Sequence, residues 1–215
     1  MNLKGAAPER FGAVTSWLYR VTAERALAPL HRRIGAEIPI EEGRLLDVGC
    51  GPGRLGRLLA AARPELEVVG LDQSPSMLRE AARGPGLPNL TFRQGTLSGS
   101  GFRDAFDFAV SVLSFHHWEE PEAELAAAHA ALRSGGRLWI YEPDPEAPDE
   151  EIRRDHAALW GWLRPPPWLH RALFRGHGFT RDEAEAVVRP VVAQSPFGGV
   201  HVSRRGSTLR LALQK

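Results

Sequence analysis

A glycine-rich turn between a predicted strand and a predicted helix is the part of the sequence best suited to hold a ligand. The strand Arg44–Val48 is short and apolar, and the helix begins at Arg54. Glycines at such a turn let the backbone bend sharply and approach a ligand where a β-carbon would collide. Asp47, near the end of the strand, would repel a phosphate and attract a cationic amine. The candidate ligand-binding residues of this turn are Asp47, Gly49, Cys50, Gly51 and Gly53.

A second acid stands at the end of the next predicted strand. Asp72 directly follows the apolar segment Glu67–Leu71. The carboxyl ends of adjacent strands in a doubly wound sheet share one crevice, so Asp72 is expected to lie beside the glycine turn. A carboxylate there can accept two hydrogen bonds from the vicinal hydroxyls of a ribose. The two acids and the turn together indicate a nucleoside-containing ligand.

Two classes of nucleoside ligand are open at this point. The pattern Gly51-x-Gly53-x-x-Gly56 matches the fingerprint of dinucleotide-binding proteins, which predicts an NAD(P)-dependent oxidoreductase. S-adenosylmethionine (SAM) carries a ribose, an ammonium and a sulfonium but no phosphate, so it suits the acid at position 47 better. The glycine run also begins earlier than the fingerprint, at Gly49. We therefore favour SAM and keep the oxidoreductase as the alternative.

Four segments, in order along the chain, resemble the motifs of the class I SAM-dependent methyltransferases, a seven-stranded Rossmann-like family. They are Leu-Leu-Asp-Val-Gly-Cys-Gly-Pro-Gly (45–53), Val-Gly-Leu-Asp-Gln-Ser-Pro-Ser-Met-Leu (69–78), Phe-Asp-Phe-Ala-Val-Ser-Val-Leu-Ser-Phe-His-His-Trp (106–118) and Leu-Arg-Ser-Gly-Gly-Arg-Leu (132–138). The chain is most similar to the small-molecule branch that includes quinone-biosynthesis methyltransferases. The resemblance implies methyl transfer from SAM to a small-molecule acceptor, and a SAM-binding protein without catalytic activity is a further alternative.

The resemblance also implies which residues contact the cofactor. Asp72 would bind the ribose, and Met77 would lie on the adenine. Relatives place an acid after the third strand, where it accepts the adenine amine, whereas this chain has Thr96, a neutral and weaker acceptor. Besides the residues of the glycine turn, the implied cofactor contacts are Asp72, Gln73, Met77, Gly95, Thr96, Leu97, Ser111 and His116.

Candidates for catalysis and acceptor binding come from strand ends and from aromatic residues outside the sheet. Methyl transfer by in-line displacement needs a general base only when the pKa of the acceptor lies well above ambient pH. The candidate bases are His116, Tyr141 and Glu142, and the expected substrate contacts are Tyr19, His117, Trp160 and Trp168. Core packing is the alternative role for these aromatic residues. The histidines and the cysteine lack metal-ligand spacing, so we expect no metal site.

All of these residues need a sheet whose strand ends meet, and the sequence predicts one. Apolar segments of strand length alternate with helical segments between residues 44 and 141, as in a parallel sheet covered on both faces. Val187–Ala193 and Thr208–Leu213 are β-prone and predict an antiparallel closing pair. The predicted fold is α/β, with a three-layer, doubly wound, mostly parallel seven-stranded sheet and an antiparallel closing strand. Helical segments in 1–40 and 145–178 are expected to cap the crevice.

Length and composition predict a single intracellular domain. The 215 residues are 43% hydrophobic and 25% charged, which is typical of one soluble globular domain spanning 1–215. We expect a cytoplasmic protein, because no segment suits a membrane span or signal peptide and the one cysteine cannot form an internal disulfide. The net charge of +1 and the acid-rich segment 142–155 argue against a nucleic-acid partner. The sequence leaves the oligomeric state open.

Overall fold

Helices and strands alternate along most of the chain. The computed structural model describes residues 27–155, 166–174 and 178–215. The elements up to the fifth strand are α1 (Ala28–Glu37), β1 (Gly43–Val48), α2 (Arg54–Ala62), β2 (Leu66–Asp72), α3 (Pro75–Ala82), β3 (Leu90–Gln94), β4 (Phe106–Val112), a short 3-10 turn (Phe115–His117), α4 (Pro121–Ala131) and β5 (Leu132–Pro143). They are followed by α5 (Asp149–Asp155), α6 (Pro167–Phe174), a composite helix α7 (Arg181–Glu183, Ala184–Val188 and Arg189–Ala193), β6 (His201–Arg205) and β7 (Thr208–Gln214).

The seven strands of the described ranges form one sheet in the order β3-β2-β1-β4-β5-β7-β6. The strands β1 to β5 pair in parallel, whereas β7 runs antiparallel to both β5 and β6. The strand order reverses between β1 and β4, so the loops at their carboxyl ends diverge and leave a crevice there. The predicted α/β fold class, a mostly parallel seven-stranded sheet with an antiparallel closing strand, is confirmed.

Each face of the sheet carries its own apolar layer. Successive residues of a strand point to opposite faces, and β1 shows this directly. Leu45 belongs to the buried cluster that contains Ile34 of α1 and Leu59 of α2. Its neighbour Leu46 belongs to a second cluster, which contains Leu125 of α4. Helices therefore cover both faces, and the domain has three layers.

A partly buried ion pair links α1 to α5 and to the end of the chain. Arg33 donates two hydrogen bonds to Asp155 at the end of α5, each with a nitrogen–oxygen distance of 2.9 Å. The Asp155 carboxylate is 1% exposed and also accepts the backbone N–H and the hydroxyl of Ser207, both at 2.8 Å. Ser207 lies in the turn between β6 and β7, so this carboxylate joins three elements that are far apart in sequence.

The predicted strand at Val187–Ala193 is wrong, because the segment forms most of the composite helix α7. The buried residues of α7 are Ala184, Val188, Val191 and Val192. This helical spacing packs one face of the helix onto the sheet. Pro190 cannot donate a backbone hydrogen bond, and it lies two residues after a π-helical turn, Ala184–Val188, that widens the helix. The antiparallel partner of β7 is instead His201–Arg205.

A capping box begins α7. The Thr180 hydroxyl accepts the Glu183 N–H at 3.2 Å, and the Glu183 carboxylate accepts the Thr180 N–H at 2.8 Å. This reciprocal pair satisfies two backbone donors at the helix start. The Thr-x-x-Glu spacing is visible in the sequence, and it outweighs the β-propensity of the valines that follow.

The helical segments expected to cap the crevice are described in part. The helix α1 falls within 1–40 and has Pro29 in its first turn, and both α5 and α6 fall within 145–178. Residues 1–26, 156–165 and 175–177 lie outside the described residues. Among the helices that are described, none is long and apolar enough to cross a membrane.

Candidate active site

A cavity of about 630 Å³ opens at the carboxyl ends of the parallel strands. This volume lies within the range of small-molecule and cofactor sites. Of the predicted cofactor residues, those that line the cavity are Gly49, Gly51, Asp72, Gln73, Met77, Gly95, Thr96 and Leu97. The predicted substrate residue His117 lines it as well. The strand-end topology therefore brings three of the four sequence motifs to one place.

The glycine turn after β1 forms one side of the cavity. The Gly49 backbone has φ +69°, and its N–H donates to the carbonyl of Leu71 at 2.8 Å. A β-carbon at Gly49 would lie 2.1 Å from Oγ of Ser114, so this position admits no side chain. Gly51 has φ +53° with open space around it, and its N–H points at Asp72. The turn thus presents main-chain atoms to the cavity.

Asp72 is held in place by two backbone donors. Its Oδ2 accepts the Gly51 N–H and its Oδ1 accepts the Ser74 N–H, each at 2.8 Å. Charge-assisted bonds of this kind orient a carboxylate firmly. A carboxylate offers about four acceptor sites, so each oxygen of Asp72 keeps one for a further donor. The side chain can therefore bind two neighbouring hydroxyls without giving up its own supports.

Asp47 lies behind the turn and does not line the cavity. It is 2% exposed, and burial raises the pKa of its carboxyl to about 7, while the Gly56 N–H opposes the rise and the nearby Asp72 adds to it. Gly56 is in the first turn of α2, so the carboxyl occupies the amino end of that helix. Its Oδ2 has no hydrogen-bond partner within the described residues. The acid predicted to meet a cationic ligand is thus buried behind the turn, close to the start of α2.

Cys50 and Gly53 of the glycine turn pack against the residues beneath it. The Cys50 thiol is buried against Gly70, where a β-carbon would lie 2.9 Å from Sγ, and burial raises the pKa of this thiol. A β-carbon at Gly53 would lie 2.4 Å from the ring of Phe92. Neither Cys50 nor Gly53 is among the residues that line the cavity. Close packing is the role that the structure gives to both.

The loop after β3 forms the opposite side of the cavity and is tied to α4. The Glu124 carboxylate accepts the N–H groups of Leu97 and Ser98 at 2.9 and 3.2 Å, and the Ser98 hydroxyl at 2.5 Å. The Thr96 hydroxyl accepts the Gly99 N–H at 3.1 Å. The Glu124 side chain of α4 therefore fixes the loop in which Thr96 stands where relatives have an acid.

The predicted catalytic candidates fall into two groups. His116 Nδ1 lies 2.5 Å from Glu142 Oε2, and Glu142 Oε1 accepts the Phe115 N–H at 2.8 Å. This pair is buried and braces the 3-10 turn that carries His117 to the cavity, but neither member lines it. Tyr141 points to the other face of the sheet, where its hydroxyl donates to Glu37 at 3.0 Å and burial raises its pKa.

The remaining predicted residues are placed away from the cavity or are not described. Ser111 is fully buried, and its hydroxyl lies 3.0 Å from that of Ser114, which does line the cavity. Trp168 is 66% exposed and is not a lining residue. Tyr19 and Trp160 lie outside the described residues.

Several lining residues escaped the sequence analysis. They include three acids on or before α4 and the residues that directly follow β4. The set is Val48, Leu71, Ser74, Ser98, Leu113, Ser114, Trp118, Glu119, Glu120 and Glu124. Ser114 could have been found, because the fourth-strand motif continues through it. Glu124 carried no signal, since an acid on an alanine-rich helix resembles any solvated residue.

The cavity fits SAM better than a dinucleotide. Four carboxylates line it, from Asp72, Glu119, Glu120 and Glu124, and no arginine or lysine of the described ranges is among the lining residues. A pyrophosphate would be repelled by such a set, whereas a ligand with a sulfonium and an ammonium would be attracted. The residues present therefore suit the cationic nucleoside that the sequence indicates.

Comparison with known proteins agrees with this geometry. Residues 46–140 match the sequence profile of a family described as a methyltransferase domain. The trans-aconitate 2-methyltransferase of Methylobacterium nodulans is 37% identical over 134 residues, which are 60% of this chain and 49% of that protein. The chain thus spans about half the length of that curated relative.

Solved structures share the fold over nearly the whole chain. A protein of Methanococcus maripaludis, proposed to be a SAM-dependent methyltransferase, has a TM-score of 0.71 at 17% identity and covers 98% of this chain and 97% of its own. A SAM-dependent methyltransferase of Aquifex aeolicus has a TM-score of 0.63 at 17% identity, with coverages of 95% and 99%. At such identity the likeness shows the fold.

Proposed function

We propose that this chain, whose residues 46–140 match a methyltransferase-domain family and whose fold is shared by SAM-dependent methyltransferases, transfers a methyl group from SAM to a small-molecule acceptor. The observation that carries the proposal is the pair of acids at the glycine turn. Asp72 faces the cavity with free acceptor sites, and Asp47 is buried near the start of the helix that follows the turn.

The position of Asp47 argues against the alternative, an NAD(P)-dependent oxidoreductase. A dinucleotide fingerprint works because the pyrophosphate binds the positive amino end of the helix after the glycine turn. In this chain the buried Asp47 carboxyl already lies at that place, since a β-carbon on Gly56 would be 3.4 Å from its Oδ2. A second anion there would be repelled by Asp47 and by Asp72. The Gly51-x-Gly53-x-x-Gly56 match is therefore better explained by tight turning and by packing of Gly53 on Phe92.

Bound SAM would supply a methyl group activated by its sulfonium, and the protein would supply position. We assign the ribose hydroxyls to Asp72, and we place the cationic methionine end beside the main chain of Gly49 and Gly51. The acceptor would enter where His117 and Trp118 line the cavity. Holding acceptor, methyl carbon and sulfur in line, with water excluded, accounts for most of the rate that such a site can provide.

The pair His116 and Glu142 is a positioning device in this scheme. It orients the 3-10 turn through Phe115 and thereby sets the place of His117. We assign no general base, because the three predicted candidates do not line the cavity. An acceptor whose attacking atom is already unprotonated at ambient pH, such as a carboxylate oxygen or a neutral amine nitrogen, would need none.

The acceptor is proposed to be small and not a nucleic acid. The name of the Methylobacterium relative supports a small organic molecule. Acids on the cavity wall would repel a phosphate backbone. The acid-rich segment 142–155 contributes less than its sequence indicates, since Glu142, Asp144 and Asp155 are buried and bonded. Of the proposed acceptor contacts within the described residues, His117 lines the cavity. We also propose a cytoplasmic location.

The test is a ligand panel followed by a transfer assay. We expect SAM and S-adenosylhomocysteine, but not NAD or NADP, to raise the melting temperature by mass action. Asp72→Ala should weaken S-adenosylhomocysteine binding ~10-fold or more, the loss expected for hydrogen bonds to a charged group. Asp182→Ala, a change of an exposed acid on α7, is the control and should bind normally.

Two outcomes would contradict the proposal. Stabilisation by NAD or NADP and not by SAM would favour the oxidoreductase. SAM binding without label transfer from methyl-labelled SAM to any of a broad panel of small acceptors, trans-aconitate included, would favour a SAM-binding protein without catalysis.

A further inference from the structure

Adenine presents an exocyclic amine, and the position after β3 offers it only a neutral hydroxyl. We propose that Glu124 of α4 supplies the missing charge by accepting the adenine amine of bound SAM while it holds the loop after β3. The inference rests on the proposed function, because it requires SAM in the cavity.

The strand register places the base near this loop. Asp72 of β2 pairs with Gln94 of β3, and the Gly95 N–H donates to the Asp72 carbonyl at 3.0 Å. The loop after β3 therefore starts beside the carboxylate assigned to the ribose, one strand spacing away, or about 4.8 Å. The cationic end of the ligand is directed to the glycine turn on the other side of Asp72. The base, attached directly to the ribose, then lies against residues 95–98.

The Thr96 hydroxyl is committed to the loop itself. Its oxygen accepts the Gly99 N–H at 3.1 Å and lies 3.3 Å from Oγ of Ser98. A hydrogen-bond acceptor that is neutral and already bonded would add little to recognition of the adenine amine. The loop thus needs an acceptor from elsewhere.

Glu124 reaches the same loop from α4 and lines the cavity. Its Oε2 accepts the N–H groups of Leu97 and Ser98, and its Oε1 accepts the Ser98 hydroxyl. Three of about four acceptor sites are filled, so one on Oε1 is left for an incoming donor. The three bonds also fix the carboxylate, so that it need not be ordered when the ligand binds.

The test compares two ligands that differ by one amine. One is S-adenosylhomocysteine, and the other is its analogue with purine in place of adenine, which has hydrogen where the amine was. Calorimetry would measure both affinities in the wild type, in Glu124→Gln and in Glu122→Gln. The control removes the same charge from an exposed side chain on the same turn of α4.

We expect the wild type and Glu122→Gln to prefer the adenine ligand ~10-fold or more, as for a hydrogen bond to a charged group. In Glu124→Gln the preference should fall to about threefold, because a neutral bond has roughly half the strength. If Glu124→Gln weakened the binding of both ligands equally, Glu124 would only support the loop, and the proposal would be overturned. If it changed neither affinity, the proposal would be overturned as well. If the wild type bound neither ligand, the cofactor assignment itself would fail.

Discussion

The two walls of the cavity are built on different principles. The glycine-loop wall, residues 48–51 and 71–77, presents main-chain atoms and one carboxylate that is held by main-chain donors. The helix wall, residues 95–98 and 117–124, depends on a side chain of α4 that reaches a loop 26 residues earlier. Main-chain geometry tolerates few substitutions, whereas a side-chain bridge can be replaced. We therefore expect changes in the first wall to affect folding and binding together, and changes in the second to affect binding mainly.

The largest expected effect concerns Asp47 and pH. Its pKa rises from 3.8 to about 7 on folding, so its contribution to stability is complete below pH ~4 and is lost as the pH rises through ~7. The difference between the two pKa values corresponds to a loss of about 4 kcal/mol in the free energy of unfolding. Asp47→Asn should abolish this pH dependence and make the ligand-free protein more stable than the wild type at pH ~8. Urea unfolding at a series of pH values measures it, and parallel curves for the two proteins would contradict it.

The next effect distinguishes two glycines of the same wall. Gly49→Ala combines a left-handed backbone with a clash against Ser114, and should cost about 3 kcal/mol of unfolding free energy. Gly51→Ala has the strained backbone but open space, and should cost about 1–2 kcal/mol. Denaturant titration of both variants tests the difference. Equal losses would mean that the contact with Ser114 is unimportant.

The smallest effect is expected in the helix wall. Thr96→Asp adds a carboxylate close to that of Glu124, because Ser98 lies between the two side chains. The new carboxylate accepts a hydrogen bond from the adenine amine more strongly than the hydroxyl does, but repulsion between the two acids should offset this gain. The affinity for S-adenosylhomocysteine should therefore change about threefold or less. In a Glu124→Gln background the same substitution should tighten binding. Calorimetry on the single and double variants decides this, and a loss of tenfold or more in both backgrounds would place the adenine elsewhere.

The sequence predicts the glycine-loop wall well because strand ends position it. The predicted helix start at Arg54 is the observed one, and the predicted strand Arg44–Val48 differs from β1 only in lacking Gly43. Short motifs suffice there, since the contacts run between main-chain groups at neighbouring strand ends. The same reasoning cannot separate lining glycines from packing ones, because Gly53 differs from Gly51 only in having Phe92 beneath it.

Residues outside that wall depend on contacts that no local pattern contains. Tyr141 and Glu142 are consecutive in a strand, so they point to opposite faces and could never share one site. Paired valines favoured a strand at Val187–Ala193, although the capping box and the spacing of buried residues there are helical. Glu124 matters because of a loop that is distant in sequence, and its own surroundings on α4 do not reveal it.

The ion pair between Arg33 and Asp155 has a consequence for the order of folding. Its partners are 122 residues apart, and the carboxylate is completed by Ser207 near the end of the chain. Contacts of such long sequence separation form late, because the loop entropy must be lost before they contribute. During synthesis the central strands can pair while α1 still lacks its polar partners. The apolar face of α1 can therefore pack on α2 early, whereas the polar contacts of Arg33 are completed only when the final hairpin has formed.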